Sequence, residues 1–166
     1  MGRLYFIVMS ASEWNHLITS VVREGFDDAK RYLSYKDQTT VLGSSPLHFA
    51  MCGDDPDMAR LLLEEGVPVD SQNQFGESPI HWCCKLGTVG HLRALLEYGA
   101  RWYLRDGEGN TPLHWAAEYD RPDICLLLLR MGASLDACNH EGLTPLQLAK
   151  LEGASRVTLD LLGSRQ

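Results

Sequence analysis

Leucine-rich apolar stripes with helical spacing recur at a nearly constant interval along most of the chain, each preceded by a short, nearly constant phrase. The stripes are Met58/Leu61/Leu62, Leu92/Leu95/Leu96, Ile124/Leu127/Leu128 and Val157/Leu161/Leu162. Apolar residues three and four apart share one side of an α-helix, so each stripe marks an amphipathic helix. The preceding phrases are Ser45-Pro46-Leu47-His48, Ser78-Pro79-Ile80-His81, Thr111-Pro112-Leu113-His114 and Thr144-Pro145-Leu146-Gln147. A hydroxyl at the N-cap takes an unpaired helix N–H, and a proline at the first helical position has no N–H to leave unpaired. The pattern predicts helix pairs: one helix of about nine residues from each of positions 45, 78, 111 and 144, a short break, then the apolar-striped helix.

Glycines punctuate the same period. Gly43, Gly76, Gly109 and Gly142 are evenly spaced, each in the turn before a phrase. Gly66, Gly99 and Gly132 follow His48, His81 and His114 at a fixed offset, where a left-handed helix end is expected. Helices this short are marginal alone in water. Each pair must therefore bury its face on its neighbours, which makes the array quasi-one-dimensional.

The period of about 33 residues and its phrase, in the form Thr111-Pro112-Leu113-His114-Trp115-Ala116-Ala117, resemble the ankyrin repeat over residues 40–163. The resemblance implies an all-α solenoid of stacked antiparallel helix pairs with projecting β-hairpin loops. It also implies that His48, His81 and His114 hold adjacent loops together, with Gln147 departing from the pattern. The resulting division is an apolar leader at 1–12, a degenerate capping repeat at 13–42, full repeats at 43–75, 76–108 and 109–141, and a C-terminal capping repeat at 142–166.

Composition narrows the function classes. Twenty-two acidic residues against fifteen basic ones give a net charge of −7, and no basic run is present, which argues against nucleic acid as a partner. The longest apolar runs, Leu4–Met9 and Ile124–Leu129, are far short of the roughly 20 residues needed to cross a bilayer. The run after Arg3 is also short for a secretion signal, so an intracellular, cytoplasmic protein is expected. Five cysteines without a C-x-x-C pair suggest reduced thiols.

Candidate chemistry dissolves into the repeat. His81, Cys83 and Cys84, flanked by His48 and His114, have zinc-ligand chemistry, but each fills a repeated slot, the cysteines those of Ala116 and Ala117. Asp106-Gly107-Glu108-Gly109-Asn110 resembles the start of a calcium loop, yet lacks the later glycine and glutamate and falls on a loop tip. No enzyme, metal or cofactor reading has a supporting constellation. Phe49, Trp82 and Trp115 share one phase and read as stacked core with indoles reaching the rim.

What remains is recognition of another protein, as an adaptor, scaffold or stoichiometric inhibitor, by a monomer or as part of a hetero-complex. The resemblance places contacts on loop tips and the exposed, concave side of the first helices. These are Leu42 and Cys52 in the first full unit, then Gln74, Phe75, Glu77, Lys85 and Leu86. Arg105, Glu108, Asn110, Glu118 and Tyr119 follow, and His140, Glu141 and Leu151 complete the strip. Its acidic rim fits a partner with a basic patch. The alternative is a permanent structural subunit, attached through the N-terminal apolar run and a patch at Arg101, Tyr103 and Arg105, with Trp102 an enlarged core filler.

Overall fold

Each Ser/Thr-Pro phrase marks a helix start, with the Thr144 hydroxyl accepting the Gln147 N–H and the hydroxyls of Ser45, Ser78 and Thr111 turned to the histidine three residues on. The computed structural model describes residue 39, residues 42–53 and residues 55–164. The leader at 1–12, and all of the degenerate repeat except residues 39 and 42, lie outside the described residues. Four helix pairs follow: α1 (Pro46–Ala50) with α2 (Asp57–Glu64), α3 (Pro79–Leu86) with α4 (Val89–Glu97), α5 (Pro112–Glu118) with α6 (Pro122–Arg130), and α7 (Pro145–Leu151) with α8 (Arg156–Gly163). Ser45, Ser78, Thr111 and Thr144 are extended N-caps, each followed by its proline.

The first helices are shorter than the sequence pattern predicts. In α1 the closing amides of Met51 and Cys52 reach back three residues, to His48 and Phe49, and this tight turn ends the helix at Ala50. First helices pack on first helices and second on second, so the array has two layers with the core between them. Leu47, Ile80 and Leu113 from one layer, and Leu92, Ile124 and Leu128 from the other, are fully buried. In α8 the stripe is rotated from expectation: Val157 is exposed, and Thr158 turns inward because its hydroxyl donates to Asp120 of the preceding unit.

Between pairs the chain makes tight turns at 73–76, 106–109 and 139–142, each closed by the fourth residue's N–H on the first residue's carbonyl. Among the described residues no strand forms. One backbone bond per step joins successive tips: Gln74 N–H to the Leu42 carbonyl (2.9 Å), Gly107 N–H to the Phe75 carbonyl (2.7 Å) and His140 N–H to the Glu108 carbonyl (2.9 Å). A single bond per step stacks the loops without extending into a sheet ladder. Glycine is required where they approach: a Cβ on Gly76, at φ +73°, would lie 2.6 Å from the Gly107 nitrogen.

Candidate partner-binding face

Three histidines link the loops of successive units. In each, Nδ1 accepts the N-cap backbone N–H (Ser45, Ser78 and Thr111, at 3.0–3.2 Å) and so cannot carry the proton. The N-cap hydroxyl sits 2.8–2.9 Å from the same nitrogen and donates to it. The proton is therefore on Nε2, which donates to a carbonyl at the start of the next unit: Glu77 from His48 (3.0 Å), Asn110 from His81 (3.3 Å) and Leu143 from His114 (3.0 Å). Burial lowers all three pKa values and keeps the imidazoles neutral, as two-way bonding demands. Gln147 keeps the backward arm, accepting from Thr144 N–H at 2.8 Å.

Each tip also has its own clasp. Asn73 Oδ1 accepts the N–H groups of Phe75 and Glu77, Asp106 Oδ1 those of Glu108 and Asn110, and Asn139 Oδ1 those of Glu141 and Leu143. Asn73, Asp106 and Asn139 were not among the partner-contact candidates of the sequence, although they recur at the same interval as the turn glycines and were equally readable. Asp106 further accepts the Trp115 indole N–H (2.8 Å), as Glu77 accepts that of Trp82 (2.9 Å). The indoles do reach the rim, each held edge-on by the histidine of the preceding unit: His48 to Trp82 at 5.4 Å and His81 to Trp115 at 5.8 Å.

The sequence candidates divide into two groups. Leu42, Gln74, Phe75, Glu108, His140 and Glu141 are exposed at the tips, Phe75 to 53%. Cys52, Leu86 and Leu151 are exposed on the first-helix side, with Lys85, Glu118 and Tyr119 half-buried beside them. The other three are tied to neighbouring groups, Asn110 buried, Glu77 half-buried and Arg105 exposed. Asn110 is only 5% exposed: its amide donates toward Asp106 and Glu108, and its Oδ1 accepts from Asn139, so it packs loop on loop instead of facing outward. Glu77 holds Trp82 and Asn73, and Arg105 donates to the Gly109 and Cys138 carbonyls.

The Arg101–Arg105 patch is exposed at Arg101, Tyr103 and Arg105, with Trp102 and Leu104 half-buried. Arg101 pairs with Asp70 of the previous unit at 2.8 Å, and Trp102 packs on the core with its ring beside Gly132. Tyr103 stands edge-on to Trp102 and points outward, 58% exposed.

On the first-helix side a cleft of about 170 Å³ opens between the second and third full units, lined by Glu77, Trp82, Lys85, Leu86 and Trp115. The Lys85 ammonium lies 4.5 Å from the centre of the Tyr119 ring. Burial raises the Glu118 pKa, and the nearby charges of Glu152 and Glu108 raise it further, against the lowering effects of the Tyr119 hydrogen bond and Lys85. Glu152, absent from the sequence candidates, shares the repeat phase of Leu86 and Tyr119.

The thiols of Cys83 and Cys125 are pushed up to about 12 by burial, and that of Cys84 is raised as well, so they stay protonated and poor nucleophiles. Among the described residues no group of three or more His, Cys, Asp or Glu side chains is placed to hold a metal, and no helix is long and apolar enough to cross a membrane. Comparison with curated proteins gives no match. The family model for ankyrin repeats matches three times, over residues 8–106, 47–139 and 91–164. With its capped helix pairs, its histidine links and these matches along nearly its whole length, the chain belongs to the ankyrin repeat family.

Proposed function

We propose that this protein–protein interaction module acts without chemistry of its own, as an adaptor, scaffold or stoichiometric inhibitor, through its loop tips and first-helix face. The observation that carries the reading is a run of exposed apolar side chains, Leu42, Phe75 and Leu86, beside an aromatic-walled cleft. Exposed apolar side chains around a pocket are what binding hot spots are made of. Glu108 and Glu141 at the neighbouring tips suit a partner with a basic patch. The free, reduced thiols suit a reducing compartment, and the cytoplasm is the location that follows from this reading.

The test is a Phe75→Ala/Tyr119→Ala double variant. Affinity for a captured partner should fall by about 2–4 kcal/mol with the far-UV circular dichroism unchanged. Full affinity in a folded variant would move the interface elsewhere. A second reading, permanent subunit of a larger assembly, draws on the opposite face. There, Leu126, Leu129, Leu135 and Leu161, together with Arg130, Asp136 and Ser164, line a groove of mixed polarity of about 710 Å³ between α6 and α8. Size exclusion of native extract separates the two, since a permanent subunit leaves no free pool.

A further inference from the structure

The cleft between the second and third full units has an apolar floor and a one-sided electrical setting, and together these specify its occupant. Its volume, about 170 Å³, is close to the roughly 150 Å³ that houses a benzene ring in a protein interior. Both wall indoles already donate their N–H groups to the protein's own carboxylates, at 2.9 and 2.8 Å. The indole edges thus need no polar partner, and an apolar side chain fits between them.

Charge is distributed unevenly along the array. On this face and its tips the exposed groups toward the first units are uncharged and include Leu42, Cys52, Gln74, Phe75 and Leu86; toward the last they include Glu108, Glu141, Glu152 and Leu151, with Glu118 half-buried beside them. Two of the basic side chains nearby are engaged, Lys85 over Tyr119 and Arg105 on two carbonyls, while Lys150, two residues before Glu152, is exposed. Glu118 is held among like charges, with its pKa raised mainly by burial and then by Glu152. A cation brought there relieves that repulsion, and an anion adds to it. Glu77 and Lys85 both line the cleft and offset each other there, so an incoming positive charge gains most one unit further along, among the carboxylates.

We propose that the cleft seats a single apolar side chain of a cationic segment of the partner protein, whose Lys and Arg residues continue over the carboxylates of the third and fourth units. This deepens, and rests on, the first-helix-face reading. It fixes the direction of the bound segment: apolar anchor toward Phe75 and Leu86, basic residues toward Glu118 and Glu152.

The experiment is selection of a random displayed peptide library on the full chain, followed by fluorescence anisotropy of the enriched peptides. Enriched sequences should carry Phe, Trp or Leu next to clustered Lys and Arg. Their affinity should fall at least about tenfold for a Glu108→Gln/Glu118→Gln/Glu141→Gln/Glu152→Gln variant in roughly 0.05 M salt, and the gap should narrow in roughly 0.5 M salt. The glutamines are isosteric, and circular dichroism checks the fold. Enrichment of neutral or acidic peptides, or of none, overturns the proposal, as does equal affinity of the glutamine variant. Peptides weakened by Leu86→Asp but indifferent to the glutamines overturn the cationic partner and leave the face standing; peptides indifferent to both sink both.

Discussion

The bonding of each imidazole gives the array a built-in response to acid. His48, His81 and His114 are neutral in the fold because burial lowers their pKa values from 6.5, outweighing the raising effect of nearby Glu77 and Asp106. Below pH 6.5 the unfolded chain therefore binds more protons than the folded one, and stability falls as pH falls. The stability is fully present above about pH 6.5, and each histidine removes at most about 1.4 kcal/mol per pH unit below it. His81→Gln should keep the backward arm, as Gln147 does, while losing the titrating ring, its Nε2 bond to the Asn110 carbonyl and its edge-on contact with Trp115. Its stability at neutral pH should drop by about 1 kcal/mol. Urea midpoints between pH 7.5 and 5.5 should then fall less steeply than in the parent; an equal slope would refute the assignment. The histidine's place was legible in its phrase, whereas the inward turn of Asn110 and the cross-loop bonds of Arg101 and Arg105 were not. A repeat phase names the slot, but a long or amide side chain in that slot can lie along the next loop or point outward, and only neighbouring carbonyls and carboxylates decide which.

The loop row is where helix pairs become one body. The four turn glycines and the three helix-closing glycines expected from their spacing all have positive φ. At Gly76 the left-handed backbone coincides with the approach of the next tip, so a methyl group meets both strain and the Gly107 backbone. Gly76→Ala should destabilise the chain by more than about 1 kcal/mol, read as a lowered urea midpoint. The equivalent change at Gly66, where a Cβ meets nothing within 4 Å, should cost only the backbone strain and serves as the comparison. Helix starts were readable because the Ser/Thr-Pro phrase acts locally. Helix ends were less so: α1 stops at Ala50 through a tight final turn that its apolar pattern does not announce.

Across the whole molecule, the junction before α6 ties three units. Arg121 donates to the Lys85 carbonyl at 2.7 Å and to the Gly87 carbonyl, reaching back one unit. Asp120, at φ +50°, accepts the hydroxyls of Ser155 and Thr158, reaching forward to the cap of α8. These bonds also hold the Asp120 carboxyl below its ordinary pKa. Asp120→Ala should raise amide exchange in α7 and α8 while leaving α3 and α4 protected, because nearest-neighbour coupling confines the damage. Uniform acceleration along the chain would mean that the array unfolds as one block.

The histidine links also give the chain a grammar. Each Nε2 reaches toward the following unit, so through this bond a unit governs the one after it and never the one before. What it governs is a backbone carbonyl, which every residue type supplies: the objects here are Glu77, Asn110 and Leu143, three unlike side chains. The verb is therefore specific and its object is not. As far as this bond goes, word order among the middle units is free, and two of them could trade places and still agree with their neighbours. Evolution or an engineer can thus rearrange what the tips and clefts say while the syntax that binds one unit to the next stays intact.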